Sequence, residues 1–255
     1  MTTEGAVDAA LLDRIAVLKS RLDVQRPLHP GLLPSLQKYY DVELTYTSNA
    51  IEGNTLTLSE TAEVIEHGIT VGGKRLREHL EAQDHYDALI WMRTLAAATT
   101  PFDELTVTEL HRRIVARSQP DIAGIYSRFP RRVANSTAIF PNPAKVPALM
   151  ATYGAWLTDL STSPGRAFEA HHRLTSIHPF GDGNGRTARL LMNLLLLRGG
   201  YPPVAVRPED RRSYLAALER VYHEDDKPFQ ILMHERLAAT LDEYLATFDA
   251  MDEQA

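Results

Sequence analysis

The chain has 255 residues, of which 44% are hydrophobic and 24% charged, and it carries a formal net charge of −6. A chain of this length can bury a core of its own, and this composition is typical of a soluble globular protein. The excess of acidic residues argues against broad, sequence-independent binding of nucleic acid, and the lack of cysteine excludes disulfides and thiol chemistry.

The N-terminal residues predict a helix and not a targeting segment. Acidic side chains lie where a signal peptide has a basic start, and no apolar run reaches the roughly 20 residues that span a bilayer. We therefore expect a cytoplasmic protein with neither a membrane nor a nucleic acid as partner. Four apolar residues recur at helical spacing: Leu11, Ile15, Leu18 and Leu22. Residues 1–35 are predicted to be a helical arm that packs on its own body or on a partner, such as the second copy in a homodimer.

The next segment, residues 36–110, is predicted to be helical with one polar interruption. A helix over residues 36–46 gives way to a compact turn that ends at Glu52 and Gly53. Asn49 lies three residues before Glu52, so the two side chains could form a reciprocal cap of purely structural value. The alternative is that Glu52 lies exposed at the tip of the turn.

Helical patterns account for most of the remaining chain. Ser59 is a suitable cap for one helix, and longer helices are predicted over residues 76–98 and 106–116. His79 and His85 are interpreted as ordinary, partly exposed histidines of the first long helix. Later helices are predicted over residues 146–160, 163–177, 209–222 and 229–248. The fold class is therefore mainly α.

Residues 124–143 differ from the helical segments, because they are rich in proline and poor in helix formers. Two short β-prone pieces, residues 131–133 and 137–140, predict a small β-hairpin flap, since proline suits sheet edges and turns. The basic residues of this segment are predicted to be a solvated surface run: Arg128, Arg131 and Arg132.

The loop at residues 178–189, HPFGDGNGRTAR, opens directly into a strongly apolar run. The first N–H groups of a helix lack intrahelical partners and the helix dipole favours negative charge there, so this loop predicts an anion cradle. Gly183 and Gly185 permit a close approach of the backbone. Arg186 and Arg189 lie three residues apart on a similar side of the helix, which suits a polyphosphate.

Two further side chains of the loop suit phosphate chemistry. Asp182 could hold a Mg²⁺ ion that bridges phosphates, and His178 is a candidate general base. Each feature alone is also common in ordinary loops, but together they favour a phosphate site. The chain lacks HExxH and GxxxxGK[ST], which argues against a metallohydrolase and a P-loop NTPase.

The loop resembles the signature of the Fic (filamentation induced by cAMP) family, HxFx[D/E]GNGRxxR, at every fixed position. SNAIEG at Ser48–Gly53 is similar to the inhibitory motif [S/T]xxxE[G/N] that class II members carry on the N-terminal side. The resemblance implies a Fic-type helical bundle with a small β-hairpin flap over the active site. It divides the chain into the arm (1–35), a helical part with the inhibitory motif (36–110) and a Fic core (111–250).

The resemblance also implies an activity, that of a protein adenylyltransferase (AMPylase). Such an enzyme moves AMP from ATP to a Ser, Thr or Tyr hydroxyl of a protein substrate, which docks on the flap by strand addition, and releases pyrophosphate. His178 would take the hydroxyl proton, Asp182 would hold Mg²⁺ and Arg189 would clamp the γ-phosphate. The residues implied to contact the nucleotide are Asp182, Gly183, Asn184, Gly185, Arg186, Arg189, Tyr214, Val133 and Ser136.

The inhibitory motif implies a regulated site. In class II relatives its glutamate, here Glu52, pairs with the second signature arginine, here Arg189, and keeps the enzyme inactive. Three alternatives stay open. Glu52 could orient water for the removal of AMP from a modified protein, or the protein could be a non-catalytic ATP-binding sensor. The third is transfer of another group, as in a phosphotransferase branch of the family, although the signature of that branch departs from GNGR. The chain departs from the family pattern near the expected adenine, with Ser136 in place of glycine and Tyr222 in place of asparagine.

Overall fold

The structure, a computed structural model, describes residues 7–26, 33–133 and 136–252. Within these ranges the chain forms α-helices joined by loops and short 3₁₀ turns. The helices are α1 (Ala9–Val24), α2 (Leu33–Ile51), α3 (Leu58–His67), α4 (Leu76–Ala97), α5 (Glu104–Ile114), α6 (Val146–Thr158), α7 (Pro164–Ile177), α8 (Asn184–Arg198), α9 (Arg211–Tyr222) and α10 (Lys227–Asp252). The prediction of a mainly α fold is confirmed. Each helix within the described ranges is too short or too polar to cross a membrane.

The helix at the centre of the bundle is α8. Helices α2, α4, α5 and α7 all contact it. Its leucines are buried on every side: Leu190, Leu191, Leu194, Leu195 and Leu196. A helix that is apolar around its circumference needs such surroundings, because any solvent-facing side would expose leucine. The first turn of α8 therefore has a fixed position relative to the helices around it.

Helix α1 packs along α10, on the body of its own chain. Ile15, Leu18 and Leu22 are buried, as their spacing predicted, and they belong to the same apolar cluster as the leucines of α8. At the edge of this contact Arg14 pairs with Asp242 at 2.5 Å, on the exposed surface. Exposed pairs are worth about 0–1 kcal/mol, so the apolar stripe holds the arm in place. The homodimer stays a prediction.

Helix α2 continues through the predicted polar turn to Ile51, so the early end predicted for this helix was wrong. Gly53 follows in the left-handed region, with a φ of 95°. Its N–H donates to the carbonyl of Ala50 at 3.0 Å, and the N–H of Asn54 donates to the carbonyl of Asn49 at 3.1 Å. This pair of bonds is a Schellman motif, the usual way in which glycine ends a helix.

The reciprocal cap between Asn49 and Glu52 is not formed. Asn49 lies inside α2, where its Nδ2 donates to the carbonyl of Thr45 at 2.9 Å. A capping box belongs to the start of a helix, and this segment ends one. The Glu52 carboxylate is consequently available for a contact outside its own turn.

The start of α3 also differs from the prediction. Thr57 is the cap, because its Oγ1 accepts the N–H of Glu60 at 3.2 Å and the Glu60 carboxylate accepts the N–H of Thr57 at 2.7 Å. This reciprocal arrangement is a capping box, and it begins the helix two residues earlier than a cap at Ser59 would. The predicted cap at Ser59 was therefore wrong.

His79 and His85 of α4 are buried, so the prediction of partly exposed histidines was wrong. Helix α4 contacts α2, α3, α5 and α8, and both histidines are among its buried residues. His79 accepts the N–H of Val71 through Nε2 at 2.8 Å, and its Nδ1 lies 2.9 Å from the carbonyl of Arg75. His85 lies between helices, with its Nδ1 3.4 Å from Oγ1 of Thr45.

The predicted β-hairpin is absent from the described part of residues 124–143, and this prediction was wrong. The segment is irregular there and forms one isolated antiparallel bridge, between Tyr126 and Phe180. Residues 134 and 135 lie outside the described ranges.

The side chains around the flap explain why no strand ladder forms. The N–H of Thr137 donates to the carboxylate of Glu219 on α9 at 2.7 Å, and the N–H of Ala138 donates to Oγ of Ser136 at 3.0 Å. A hairpin would need these groups for cross-strand bonds, and the prolines of the segment supply no N–H at all. The flap is therefore fastened to α9, and its described residues form no strand ladder.

Candidate active site

Residues 178–189 form a tight turn between α7 and α8. His178 ends α7 in the left-handed region, with a φ of 51°. The Asn184 side chain bonds both backbone groups of Phe180: Oδ1 accepts the N–H at 2.9 Å, and Nδ2 donates to the carbonyl at 3.0 Å. The side chain of Asn184 thus shapes the loop, which leaves the anion contact expected of this residue to its backbone.

A histidine that the sequence analysis missed, His111 on α5, supports the loop. Its ring stacks on Phe180 with centroids 3.6 Å apart, and its Nε2 lies 2.9 Å from the carbonyl oxygen of Asp182. Because Nδ1 accepts the N–H of Gly124 at 3.0 Å, Nε2 carries the proton and donates. Burial lowers the pKa of His111 to about 4, so the ring stays neutral. The residues around His111 in the sequence form an ordinary amphipathic helix and give no sign of a special role. Only the fold brings His111 beneath the loop.

The two glycines of the loop meet different neighbours. Gly183 caps α8 in the left-handed region, with a φ of 74°. A Cβ on Gly185 would collide with Oε1 of Glu52 and would lie 3.0 Å from Nη1 of Arg189. The Glu52 carboxylate therefore lies directly against the first turn of α8, where the helix dipole favours negative charge.

The guanidinium of Arg189 has partners on all sides. Its Nε donates to Oγ of Ser48 and its Nη2 to the carbonyl of Ser48, both at 2.9 Å. Nη2 also donates to Oε1 of Glu52 at 2.6 Å, and Nη1 donates to the hydroxyl of Tyr214 at 3.2 Å. The side chain of Arg189 is 5% exposed and that of Glu52 39%, so solvent reaches the pair from the carboxylate side. The two sequence motifs thus meet in one ion pair.

Tyr214 lies behind Arg189 and is 1% exposed. Its hydroxyl lies 2.9 Å from Nε2 of His171. Burial raises the pKa of Tyr214 and lowers the pKa of His171, so both groups are neutral. The hydroxyl accepts from Arg189 and donates to His171, which makes Tyr214 a support for the arginine. The contact of its ring with adenine stays a prediction.

Arg186 is 2% exposed, yet its Nε and Nη1 have no hydrogen-bond partner among the described residues. The nearest carboxylate oxygens are Oδ1 of Asp182, 3.5 Å from Nη2, and Oε1 of Glu81, 3.8 Å from Nη1. Buried N–H groups of a charged side chain are costly unless a ligand accepts from them. Arg186 thus offers buried N–H groups that an anionic ligand could accept from, and its contact with phosphate stays a prediction.

Asp182 accepts hydrogen bonds from several directions. Its Oδ2 accepts from Nε2 of Gln119 at 2.7 Å and from Nη2 of Arg77 at 2.9 Å, and its Oδ1 accepts the N–H of Gly183 at 2.6 Å. Burial alone would raise the pKa of Asp182, but the charge of Arg186 and these bonds bring it below its usual value. Arg77 and Gln119 were missed, because they lie far from the loop in the sequence.

His178 presents one ring nitrogen to the site. Its Nδ1 lies 3.3 Å from the carbonyl of Thr175, which can only accept, so Nδ1 carries the proton and Nε2 has the lone pair. Burial lowers the pKa of His178, and the Thr175 carbonyl and the charge of Glu52 oppose this in part. His178 is therefore neutral near pH 7, with Nε2 as the basic atom.

Two aromatic side chains form a wall beside His178. Phe140 of the flap stacks on the histidine ring, with centroids 4.1 Å apart. Tyr222 of α9 meets Phe140 edge to face at 5.5 Å, and its hydroxyl lies 3.4 Å from the carbonyl of Thr175. Tyr222, one of the two departures from the family pattern, therefore lines the side of the site next to the base.

The remaining flap residues have varied surroundings. Val133 is 41% exposed, and Ser136 donates to the carboxylate of Glu219 at 2.7 Å. Arg131 is half-buried and turns toward the signature loop, since a Cβ on Gly181 would lie 2.9 Å from its Nη2. The prediction of a solvated run was thus wrong for Arg131, while Arg128 and Arg132 are exposed.

Together these features define a helical domain with an anion cradle at the start of a buried helix, a neutral histidine beside it and a carboxylate already seated in it. The sequence profile of the Fic/DOC family matches residues 101–196, which include the whole loop. The chain belongs to the Fic/DOC family.

Solved structures and curated proteins agree on this family. A fragment of Fic-1 from C. elegans is 31% identical with a TM-score of 0.86, over 94% of this chain and 72% of that one. A Fic domain containing signaling protein from Bacteroides thetaiotaomicron is 30% identical with a TM-score of 0.81, over 90% of this chain and 94% of that one. The protein adenylyltransferase Fic of Nematostella vectensis is 35% identical over 94% of this chain and 57% of its own length. The chain thus spans about half the length of the curated relatives it matches.

Proposed function

We propose that this chain transfers AMP from ATP to a Ser, Thr or Tyr hydroxyl of a protein, and that Glu52 keeps the site inactive at rest. One observation carries the proposal: a carboxylate lies against the first turn of α8 and on Arg189. A carboxylate and a phosphate group make the same demands on a site, namely positive charge and N–H donors. Glu52 therefore occupies the position that suits a phosphate of ATP. Curated relatives named protein adenylyltransferase support the reaction class.

The phosphate groups would find two arginines with different roles. Arg186 offers buried N–H groups that have no partner among the described residues. Arg189 is already held by Ser48 and Tyr214, so only the bond to Glu52 has to be exchanged for a phosphate oxygen. An arginine oriented in advance loses little freedom on binding.

The residues present fit a Mg²⁺ ion that arrives with the nucleotide. Among the described residues no group of three or more acidic or histidine side chains is placed to hold a metal. Asp182 is an ionised carboxylate with 41% of its side chain exposed. Mg²⁺ commonly takes one or two carboxylates and completes its shell with phosphate oxygens and water. Bound at Asp182, it would neutralise part of the phosphate charge.

The chemical step requires a base and a fixed geometry. Nε2 of His178 accepts the proton of the target hydroxyl while the hydroxyl oxygen bonds to the α-phosphorus. The bond from that phosphorus to the bridging oxygen breaks, and pyrophosphate leaves with the electron pair. The site then contributes mainly through positioning and charge stabilisation. The flap beside His178 is the proposed docking surface for the protein substrate.

The test compares incorporation of labelled AMP by the unmodified protein and by Glu52→Gly. A charge-assisted hydrogen bond contributes about 1.5–3 kcal/mol, so its loss should raise the rate at least about tenfold. Glu52→Gln, which keeps the shape of the side chain but not its charge, should give an intermediate rate. His178→Ala in the Glu52→Gly background should abolish incorporation.

Two results would count against this function. Equal rates for the unmodified protein and Glu52→Gly would remove the inhibitory role of Glu52. ATP binding without any His178-dependent product would leave the protein as a nucleotide sensor.

The position of Glu52 also supports a second candidate, the hydrolytic removal of AMP from a modified protein. Its carboxylate is partly exposed and lies at the cradle, where it could take a proton from an attacking water. The water oxygen would bond to phosphorus as the bond from phosphorus to the side-chain oxygen of the protein breaks. That oxygen would leave with the electron pair and take up the proton that the water gave up, which restores the hydroxyl. An AMPylated protein incubated with the unmodified chain and with Glu52→Gly separates the two activities, because only removal requires the carboxylate.

A further inference from the structure

One oxygen of the Asp182 carboxylate, Oδ2, accepts hydrogen bonds from two side chains. Both lone-pair regions of Oδ2 have donors, Arg77 at 2.9 Å and Gln119 at 2.7 Å. Oδ1 accepts the N–H of Gly183 and faces Arg186 at 3.5 Å. A cation that binds through Oδ2 must therefore displace Arg77 or Gln119.

The partners of Asp182 differ in how easily they can leave. Arg186 is 2% exposed and is enclosed by the core, so it cannot swing away. Arg77 has a side chain that is 52% exposed, and its Nε also donates to Oε1 of Glu81 at 2.9 Å, one turn further along α4. If Arg77 releases Asp182, its charge keeps a carboxylate partner and gains water. Arg77 is therefore the cation that can be exchanged.

We propose that Arg77 is the resting counter-cation of Asp182 and that it gives way to the divalent ion that enters with the nucleotide. This inference rests on the proposed function, and it adds a contact on α4 to the one that Glu52 makes. The two contacts act on different groups, because Glu52 occupies Arg189 in the phosphate cradle whereas Arg77 occupies the proposed metal carboxylate. Arg77 would thus set how readily the metal binds, and Glu52 how well the phosphates are held.

Repulsion between like charges predicts that loss of Arg77 strengthens the binding of a divalent ion at Asp182. A divalent ion on Asp182 would lie beside the Arg77 guanidinium if that side chain stayed in place. Removal of the guanidinium therefore relieves both the competition for Oδ2 and the repulsion. Because the ion pair is half-exposed, the effect is modest, about twofold to fivefold in affinity for the ion.

The experiment measures the affinity of Mn²⁺ for the full chain in the presence of an ATP analogue that cannot be cleaved between the α- and β-phosphates. The electron paramagnetic resonance signal of free Mn²⁺ reports binding without any turnover. In the Glu52→Gly background, Arg77→Met should tighten Mn²⁺ binding about twofold to fivefold, and Arg77→Lys should restore weak binding.

Arg112→Met is the matched control. Arg112 has a side chain that is 50% exposed and pairs with Glu109, and it lies next to His111 without touching Asp182. Its replacement removes the same charge near the loop and should leave Mn²⁺ affinity unchanged. An equal change in Arg77→Met and Arg112→Met, or no change in either, would overturn the inference.

Asp182→Ala separates failure of this inference from failure of the metal role itself. If Asp182→Ala weakens Mn²⁺ binding but Arg77→Met does not alter it, Asp182 holds the ion and Arg77 is not its competitor. If Asp182→Ala binds Mn²⁺ as tightly as its parent, the metal role in the proposed function is wrong, and the role of Arg77 is wrong with it.

Discussion

His178 in the loop and His111 beneath it are both neutral histidines, but they use their ring nitrogens in opposite ways. His111 has both nitrogens engaged, with the N–H of Gly124 and the carbonyl of Asp182. His178 has one nitrogen engaged, with the carbonyl of Thr175, and the other is left basic. Hydrogen bonding thus gives the two histidines different roles. His111, stacked on Phe180, supports the loop, and His178, stacked on Phe140, is the candidate base.

The lowered pKa of His178 predicts how AMP transfer depends on pH. The neutral ring is the active form, so the rate should fall only as the pH drops through a pKa below the usual value of about 6.5. Glu52 raises the pKa of His178, so Glu52→Gly should lower it further. The measurement is kcat/KM of Glu52→Gly across pH values from about 5 to 8. An acid limb centred above the usual histidine value would contradict the assignment.

At the scale of elements, the site is assembled from parts of six helices and the flap. Helix α2 delivers Ser48 and Glu52, α4 delivers Arg77, and α8 carries both signature arginines. Helix α9 has two tasks, because it supports Arg189 through Tyr214 and fastens the flap through Glu219. The flap is thus fastened to a helix that also supports Arg189.

Glu219→Gln should loosen the flap. The carboxylate accepts from the Ser136 hydroxyl and from both the N–H and the hydroxyl of Thr137. An amide has only one acceptor oxygen, and its NH₂ group would face donors. The loss of about 1.5–3 kcal/mol should raise the rate of tryptic cleavage in the flap about tenfold or more.

Mass spectrometry can assign this cleavage to the peptide bonds that follow the flap arginines Arg128, Arg131 and Arg132. Glu235→Gln, a change at an exposed carboxylate of α10, is the control and should leave the digestion pattern unaltered. Cleavage at the same rate in both variants would show that Glu219 does not fasten the flap.

At the scale of the whole molecule, one apolar cluster joins residues from α1 to α10. Leu22 of the arm and Leu241 of α10 belong to it, as do the leucines of α8. The predicted boundaries at residues 35 and 110 therefore do not divide the core. The division of the chain into an arm, a part with the inhibitory motif and a Fic core stays a prediction about function. A shared core keeps the first turn of α8 rigid relative to α2 and α4, on which the two proposed inhibitory contacts depend.

Leu22→Ala should destabilise the entire fold and not the arm alone. Leu22 is 1% exposed, and removal of a buried leucine side chain costs about 2–5 kcal/mol. Thermal unfolding followed by circular dichroism should show one transition shifted to lower temperature. Val17→Ala on the same helix, where the side chain is 62% exposed, should leave the transition almost unchanged. An unshifted main transition in Leu22→Ala would mean that α1 unfolds independently.

The sequence by itself determined the class of the fold, and it predicted the chemistry of the loop, because both depend on local patterns. Apolar spacing predicted the helices, and the run from His178 to Arg189 predicted an anion cradle with a base. The errors in secondary structure fell at the end of α2, the cap of α3 and the flap, where competing hydrogen-bond partners decide the outcome. In each place, a group bonds to backbone atoms for which local propensity predicted another partner. These groups are the turn at Gly53, the side chain of Thr57 and the carboxylate of Glu219.

Only the tertiary structure decided which side chains meet across the site. The ion pair of Glu52 with Arg189 joins positions 137 residues apart, and the contact of Arg77 with Asp182 joins positions 105 residues apart. Family resemblance implied the first, but nothing in the residues near Arg77, Gln119 or His111 distinguishes them from surface or core positions. Their roles come from the way in which α4, α5 and α8 pack together, and that packing is a property of the whole core.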